Sequence, residues 1–218
     1  MSCDVVSQDS RPIIELIDFV RPYVSGAIKT AIEFNLRASL IEFARRSGVM
    51  HRVVRIQLQE GMKDYPIVLD DCLQPVRVRS VCYGGITTFV PRESPPCCTC
   101  GCYSFYFQDP SCISIGRSPS FSQEENLEEL SIHMEVAPTQ GTCSISSEVY
   151  NLWGETISYG AVARLLLIQN ESFSNAELST YFDRKFKEGV KKARADVNSG
   201  YTRSTKMNFG PRIVFRRR

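Results

Sequence analysis

The chain's 218 residues suffice for one core, or for one core carrying a sizeable inserted lobe. A hydrophobic content of 43% with 23% charged residues excludes wholesale disorder. No apolar run reaches the roughly 18 residues that cross a bilayer, since Arg164 interrupts Ala161 to Ile168. The net charge of +2 conceals a division: residues 184–218 hold twelve Lys or Arg against Glu188 and Asp196, which leaves −8 for residues 1–183. An acidic body is therefore joined to a basic end.

Met1 to Ser10 carries two Asp and no apolar stretch, so a secretory leader is not expected and the protein should fold and work in a cytosol. Ser10 and Pro12 then open a short predicted helix, Ile13 to Val20, which Pro22 ends. Ser25 is the expected cap of a longer helix running to about Ser47. Along it Ile28, Ala31, Ile32, Leu36, Leu40, Phe43 and Ala44 recur at helical steps, and a second row, Phe34, Ala38 and Ile41, widens the apolar surface. A helix apolar on more than one side is expected between partners, either other helices or other subunits.

From about Val53 to Pro138 the period becomes two. Val54, Ile56 and Leu58 alternate with polar residues, as do Leu130, Ile132, Met134 and Val136, while Val76, Val78 and Val81 accompany Arg77 and Arg79. Gly84-Gly85, Asp109-Pro110 and Ser118-Pro119 read as turns, with a hairpin of Tyr103 to Phe107 and Cys112 to Ile115 around the second. The pattern predicts five to seven short antiparallel strands.

Helical spacing returns after Cys143. Val149, Leu152, Trp153, Ile157, Gly160, Ala161, Leu165 and Ile168 form one stripe, in which the small pair Gly160-Ala161 admits a close neighbour. Ser174 and Glu177 are read as a capping box, with Phe173 and Leu178 as its hydrophobic staple. The inner stripe of that last helix is Leu178, Phe182, Phe186, Gly189, Val190, Ala193 and Val197, and Lys185, Lys187, Lys191, Lys192 and Arg194 cover its other faces. The expected fold is α+β. A discontinuous antiparallel helical bundle (1–50 and 145–200) holds an inserted antiparallel β lobe (51–144), and an extended basic C-terminal arm follows (201–218).

Catalytic chemistry is not expected. His51 and His133 lie far apart and read as surface residues. There is no phosphate loop, no nucleophile elbow, and no cysteine with a convincing histidine partner. Glu124-Glu125 and Glu128-Glu129 read as solvated faces rather than an acid/base pair. Nine cysteines include the crowded Cys97-Cys98-Thr99-Cys100-Gly101-Cys102, whose spacing suits no tetrahedral zinc site; Cys72, Cys82 and Cys112 would add ligands only if the fold gathered them. Reduced thiols without metal or other cofactor are expected. The C-terminal segment is different, because Phe209, Ile213, Val214 and Phe215 alternate with Arg212 and Arg216 before Arg217 and Arg218. It suits docking as a strand on an acidic, partly apolar protein surface, or pairing with nucleic acid.

Several segments resemble the head-to-tail adaptor proteins of tailed bacteriophages. These are Ala27-Ile28-Lys29-Thr30-Ala31-Ile32-Glu33-Phe34 with Phe43-Ala44-Arg45-Arg46-Ser47, and Gln59-Glu60-Gly61-Met62-Lys63-Asp64-Tyr65-Pro66. Gly160-Ala161-Val162-Ala163-Arg164-Leu165-Leu166 is similar too, as are Phe182, Phe186 and Ala193-Arg194 in the last helix. The likeness runs from about Arg21 to Val197, and the cysteine cluster departs from it. It implies a virion protein of the head–tail junction, assembled in the host cytoplasm as a homo-oligomeric ring of twelve copies. Such a ring binds the portal above and tail proteins below (a nozzle or tail tube, with tail fibres as a further candidate), and DNA passes through it without sequence-specific binding. On that likeness Phe34, Ala38, Ile41, Gly160 and Ala161 pack subunits together. Phe209, Arg212, Ile213, Phe215, Arg216, Arg217 and Arg218 grip the portal. No membrane is involved. The competing expectation is a nucleic-acid-binding module acting through the basic C-terminal helix and tail, and a steep salt dependence would distinguish it.

Overall fold

The computed structural model describes residues 10–59, 62–83, 87–88, 90–92, 104–109, 112–115, 129–169 and 171–199, and the protein is α+β. The chain begins with strand β1 (Ser10–Pro12), followed by a 3-10 turn (Ile13–Leu16), the single-turn helix α1 (Ile17–Val20) and a second 3-10 turn (Arg21–Tyr23). The expected Ile13 to Val20 helix is thus split, and Pro22 lies inside a 3-10 turn that follows it. Helix α2 (Lys29–Ser47) follows Ile28 without a side-chain cap. Ser25 is therefore not its cap: the chain turns through Gly26, whose φ of 103° suits a residue without a side chain. Gly48, with φ 68°, ends α2 in the left-handed conformation and donates its N–H to the Ala44 carbonyl.

Strands β2 (His51–Gln57), β3 (Asp64–Pro66), β4 (Leu73–Tyr83), β5 (Thr87–Thr88), β6 (Val90–Arg92), β7 (Ser104–Asp109), β8 (Cys112–Ile115) and β9 (Glu129–Pro138) come next, one more than the upper expectation. One four-stranded sheet has the order β2-β9-β4-β5, and the other β3-β8-β7-β6. The expectation of a wholly antiparallel arrangement fails at one place, since β6 and β7 pair in parallel, Val90 with Ser104 and Arg92 with Tyr106. The predicted hairpin is present as β7 and β8. Register sets the inward faces: Val54 opposes Ile132 and Ile56 opposes Leu130. Tyr65, Val81, Phe105, Ile113, Leu130, Ile132 and Met134 from both sheets bury together in one core. The Tyr65 hydroxyl also ties the turn before β3, lying 3.0 Å from the Met62 carbonyl oxygen and accepting from the Gln59 N–H at 3.2 Å.

Strand β10 (Ser144–Ser146) pairs antiparallel with β1 and leads into α3 (Ser147–Leu165), whose first turn is capped by the Ser146 hydroxyl accepting from the Val149 N–H. Helix α4 (Ala176–Asn198) is capped by Asn175, which accepts from the Leu178 N–H at 2.9 Å. The expected capping box does not form, because the cap is one residue later and Glu177 falls at the second helical position. Ser174 instead faces the Leu166 carbonyl, and Phe173 and Leu178 are half-buried at the edge of the core. A second core unites helices from both ends of the chain, with Leu16, Ile32, Leu36 and Phe43 meeting Trp153, Ile157, Leu165, Phe182 and Phe186. Leu152 and Ile168, expected in this stripe, are exposed. Met50, between α2 and β2, packs against both cores.

Close approach of the helices is paid for in side-chain volume and stabilised by buried hydroxyls. Ser39 of α2 donates to the Ile157 carbonyl of α3 at 2.6 Å, and Ser179 of α4 donates to the Ala163 carbonyl at 2.7 Å. Each bond crosses an interface where a larger side chain would hold the backbones apart.

Candidate functional site

Phe34, Ala38 and Ile41 stand at i, i+4 and i+7 on the side of α2 opposite Ile32, Leu36 and Phe43. They form one row but have unequal surroundings. Phe34 is 61% exposed, Ala38 is half-buried and Ile41 is buried. One turn beyond Ile41, Arg45 donates to the Gln74 side chain at 2.9 Å, where β4 begins. The C-terminal half of this face is thus tied to the sheet, and the N-terminal half stands open at Phe34. Glu33 beside Phe34 is held between Lys29 at 3.9 Å and Arg37 at 4.0 Å.

Gly160 and Ala161 occupy a different environment from the one expected of subunit-packing residues. Both are buried inside the chain. A Cβ on Gly160 would stand 2.8 Å from the Phe186 ring of α4 and would collide with the Ser39 hydroxyl of α2. Their small size serves the packing of α3 against its own chain's helices, so a second copy has no access to them.

The basic side of α4 is partly committed within the chain. Lys187 pairs with Asp183 at 2.6 Å, Arg184 approaches Glu188 at 4.0 Å, and Arg194 donates to the Arg46 carbonyl at 3.0 Å, near the end of α2. Lys191 and Lys192 are exposed, and among the described residues neither has an ion-pair partner. The proposed portal-gripping residues Phe209, Arg212, Ile213, Phe215, Arg216, Arg217 and Arg218 lie outside the described residues, as do Cys97 to Cys102 and the acidic pair Glu124-Glu125.

Two carboxylates are each shared by two arginines. Glu135 of β9, 1% exposed, accepts from Arg77 at 2.6 Å and from Arg79 at 2.8 Å, both on β4. Burial pushes its carboxyl up, but the two guanidinium hydrogen bonds outweigh it and hold the group below the usual carboxylate range. Glu42 of α2 is similar. Burial opposes ionisation, and the hydrogen bonds from Arg46 at 2.7 Å and from Arg164 of α3 at 2.5 Å favour it more, so its carboxyl is also lowered. Carboxylates held ionised in this way accept a proton poorly near neutrality, and their arginines orient them toward the protein.

His51 and His133 are exposed, the first opposite Glu135 in register and the second opposite Val53. Among the described residues, no group of three His, Cys, Asp or Glu is placed to hold a metal ion. Cys72, Cys82 and Cys112 are half-buried and Cys143 is exposed. No helix among the described residues is long and apolar enough to cross a membrane.

One grouping has no local sign in the sequence. Tyr23, Tyr159 and Tyr181 surround the buried Phe182, with ring centroids 4.7, 5.5 and 5.3 Å from it. These tyrosines come from the turn after α1, from α3 and from α4, so only the folded chain unites them. A scan of protein-family models and a search of curated proteins found no match to the chain.

Proposed function

We propose that the chain is a structural protein of tailed-bacteriophage virions, a ring-forming adaptor that joins the DNA-filled capsid to the tail. In this reading the helices of both chain ends are a bundle, the sheets are a lobe inserted into it, and residues 201–218 are an arm that docks on the portal. Twelve copies surround the DNA channel, tail proteins bind below, and assembly takes place in the host cytoplasm. The reading assigns no catalysis, metal or cofactor.

The observation that carries it is Phe34. A large aromatic at 61% exposure, on the side of α2 facing away from its own core, suits burial against a neighbouring copy. The core shared by Leu36, Trp153 and Phe186 also fits a bundle closed from both ends of the chain. In the C-terminal segment Phe209, Ile213 and Phe215 would each contribute about 1.5–3 kcal/mol if fully buried, before the cost of ordering the segment. Arg212, Arg216, Arg217 and Arg218 would set orientation against acidic or carbonyl groups of the portal.

The test is to assemble portal-bearing capsids with the whole chain and with a chain ending at Gly200. The whole chain should co-sediment with capsids and the shortened chain should stay in the supernatant while keeping its circular dichroism. Equal co-sedimentation would remove the C-terminal segment from the portal contact.

A further inference from the structure

We infer that the surface around Tyr23 and Tyr181 binds single-stranded nucleic acid, with bases stacked on the tyrosine rings and phosphates following the lysines of α4. Tyr23 is 44% and Tyr181 45% exposed. Their rings meet Phe182 edge-on, at interplanar angles of 65° and 78°. Among the described residues neither is therefore covered by a parallel ring, and each is anchored by Phe182 while part of it remains open to solvent. An exposed, rigidly seated aromatic ring is what an unpaired base stacks on.

Charge stands where a phosphate would need it. The Arg184 guanidinium and the Lys185 ammonium lie over the Tyr181 ring, 5.9 and 5.8 Å from its centre, so a base stacking on that ring has to move one of these flexible side chains aside. Lys185 has no ion-pair partner among the described residues, nor do Lys191 and Lys192 further along α4. Tyr181, Lys185 and Lys192 share one flank of the helix at i, i+4 and i+11, a run of about 16 Å. Of the nearby acids, Glu155 accepts from the Tyr159 hydroxyl and Glu188 is approached by Arg184, while Glu177, one turn before Tyr181, is exposed and has no ion-pair partner among the described residues. Tyrosines and cations also mark protein interfaces. Here the unpaired lysines and the ring faces together favour a polyanion with planar groups. A duplex keeps its bases stacked inside and offers the rings nothing, so the surface selects single strands. The inference does not depend on the portal reading, because it uses no residue beyond Lys192.

The experiment measures fluorescence anisotropy of the full chain with a labelled oligothymidylate, a duplex of the same length and a polyglutamate peptide, each across a salt series. Tighter binding of the oligothymidylate than of the duplex is expected. Replacing Tyr23 and Tyr181 together by Leu should weaken it about ten-fold or more, while Tyr23→Phe with Tyr181→Phe should keep it. Lys185→Gln and Lys192→Gln should each lower the slope of log affinity against log salt by about 0.7. Circular dichroism of every variant should match the parent. Equal affinity for duplex and single strand would overturn the inference, and so would unchanged binding by the leucine variant. Binding of polyglutamate but not oligothymidylate, with the same tyrosine dependence, would overturn it too and make the surface a protein-docking site.

Discussion

Gly160 of α3 faces Ser39 of α2 with no room for a side chain between them, and the Ser39 hydroxyl uses the contact to bond the Ile157 carbonyl at 2.6 Å. Gly160→Ala should therefore force α2, α3 and the Phe186 ring of α4 apart. A loss of about 1–3 kcal/mol is expected, as for overpacked cores. Urea unfolding checks it: the midpoint should fall with little change in slope. Unchanged stability would mean that the three helices are less tightly fitted than described.

Glu135 predicts a pH dependence. Its folded carboxyl lies below the ordinary value of 4.5, because two arginine hydrogen bonds outweigh the effect of burial. The sign follows from linkage. The stabilisation is complete above the unfolded value and is lost as pH falls through the lower folded one. Denaturant midpoints of the parent should therefore drop in acid below about 4.5, and Glu135→Gln should be less stable at neutral pH and show a shallower acid limb. Glu42 contributes a dependence of the same sign, so the acid limb should flatten further in the double variant Glu42→Gln, Glu135→Gln.

Tyr159 should resist ionisation. Its hydrogen bond to Glu155, aided by burial, raises the phenol to about 12. In an NMR titration of the ring carbons, Tyr159 should still be protonated when ordinary tyrosines have ionised near 10. Glu155→Gln should bring it back toward that value.

The helices and most strands were legible in the sequence because their apolar periods run over many residues. The three long helices follow stripes such as Ile32, Leu36 and Phe43, and β9 follows Leu130, Ile132 and Met134. Short elements escaped. Three residues, Ser10 to Pro12, have no period to read, and their pairing with Ser144 to Ser146 spans most of the chain. The parallel pairing of Val90 with Ser104 is equally silent, since nothing local distinguishes it from a hairpin. At the start of α4 two adjacent residues could cap, and Asn175 does so while Ser174 turns to the Leu166 carbonyl.

The sites were less legible than the fold. Glu135 alternates like an outward residue, and only register brings it opposite Arg77. Phe34 stands out by helical spacing and is exposed, whereas Gly160 and Ala161 are buried among their own chain's helices. Small residues announce close packing without naming the partner. Tyr181 adjoins Phe182 in the chain, but Tyr23 and Tyr159 reach that ring only through the tertiary structure.

Phe34 gives a prediction that separates assembly from folding. Because its side chain is largely exposed, Phe34→Asp should shift the thermal midpoint by no more than about 2 °C at dilutions where the parent is monomeric too, as surface changes usually stay within about 0.5 kcal/mol. In sedimentation velocity the same variant should move as a monomer under conditions where the parent forms a larger species. An oligomer that persists in the variant would place the subunit contact elsewhere.

Electron microscopy of the purified chain mixed with portal rings tests the central claim most directly. The adaptor reading predicts rings of this chain stacked coaxially on the portal, with the α2 face at Phe34 between neighbouring copies and the C-terminal segment reaching the portal. Portal rings that remain bare at saturating concentrations of the chain would contradict it.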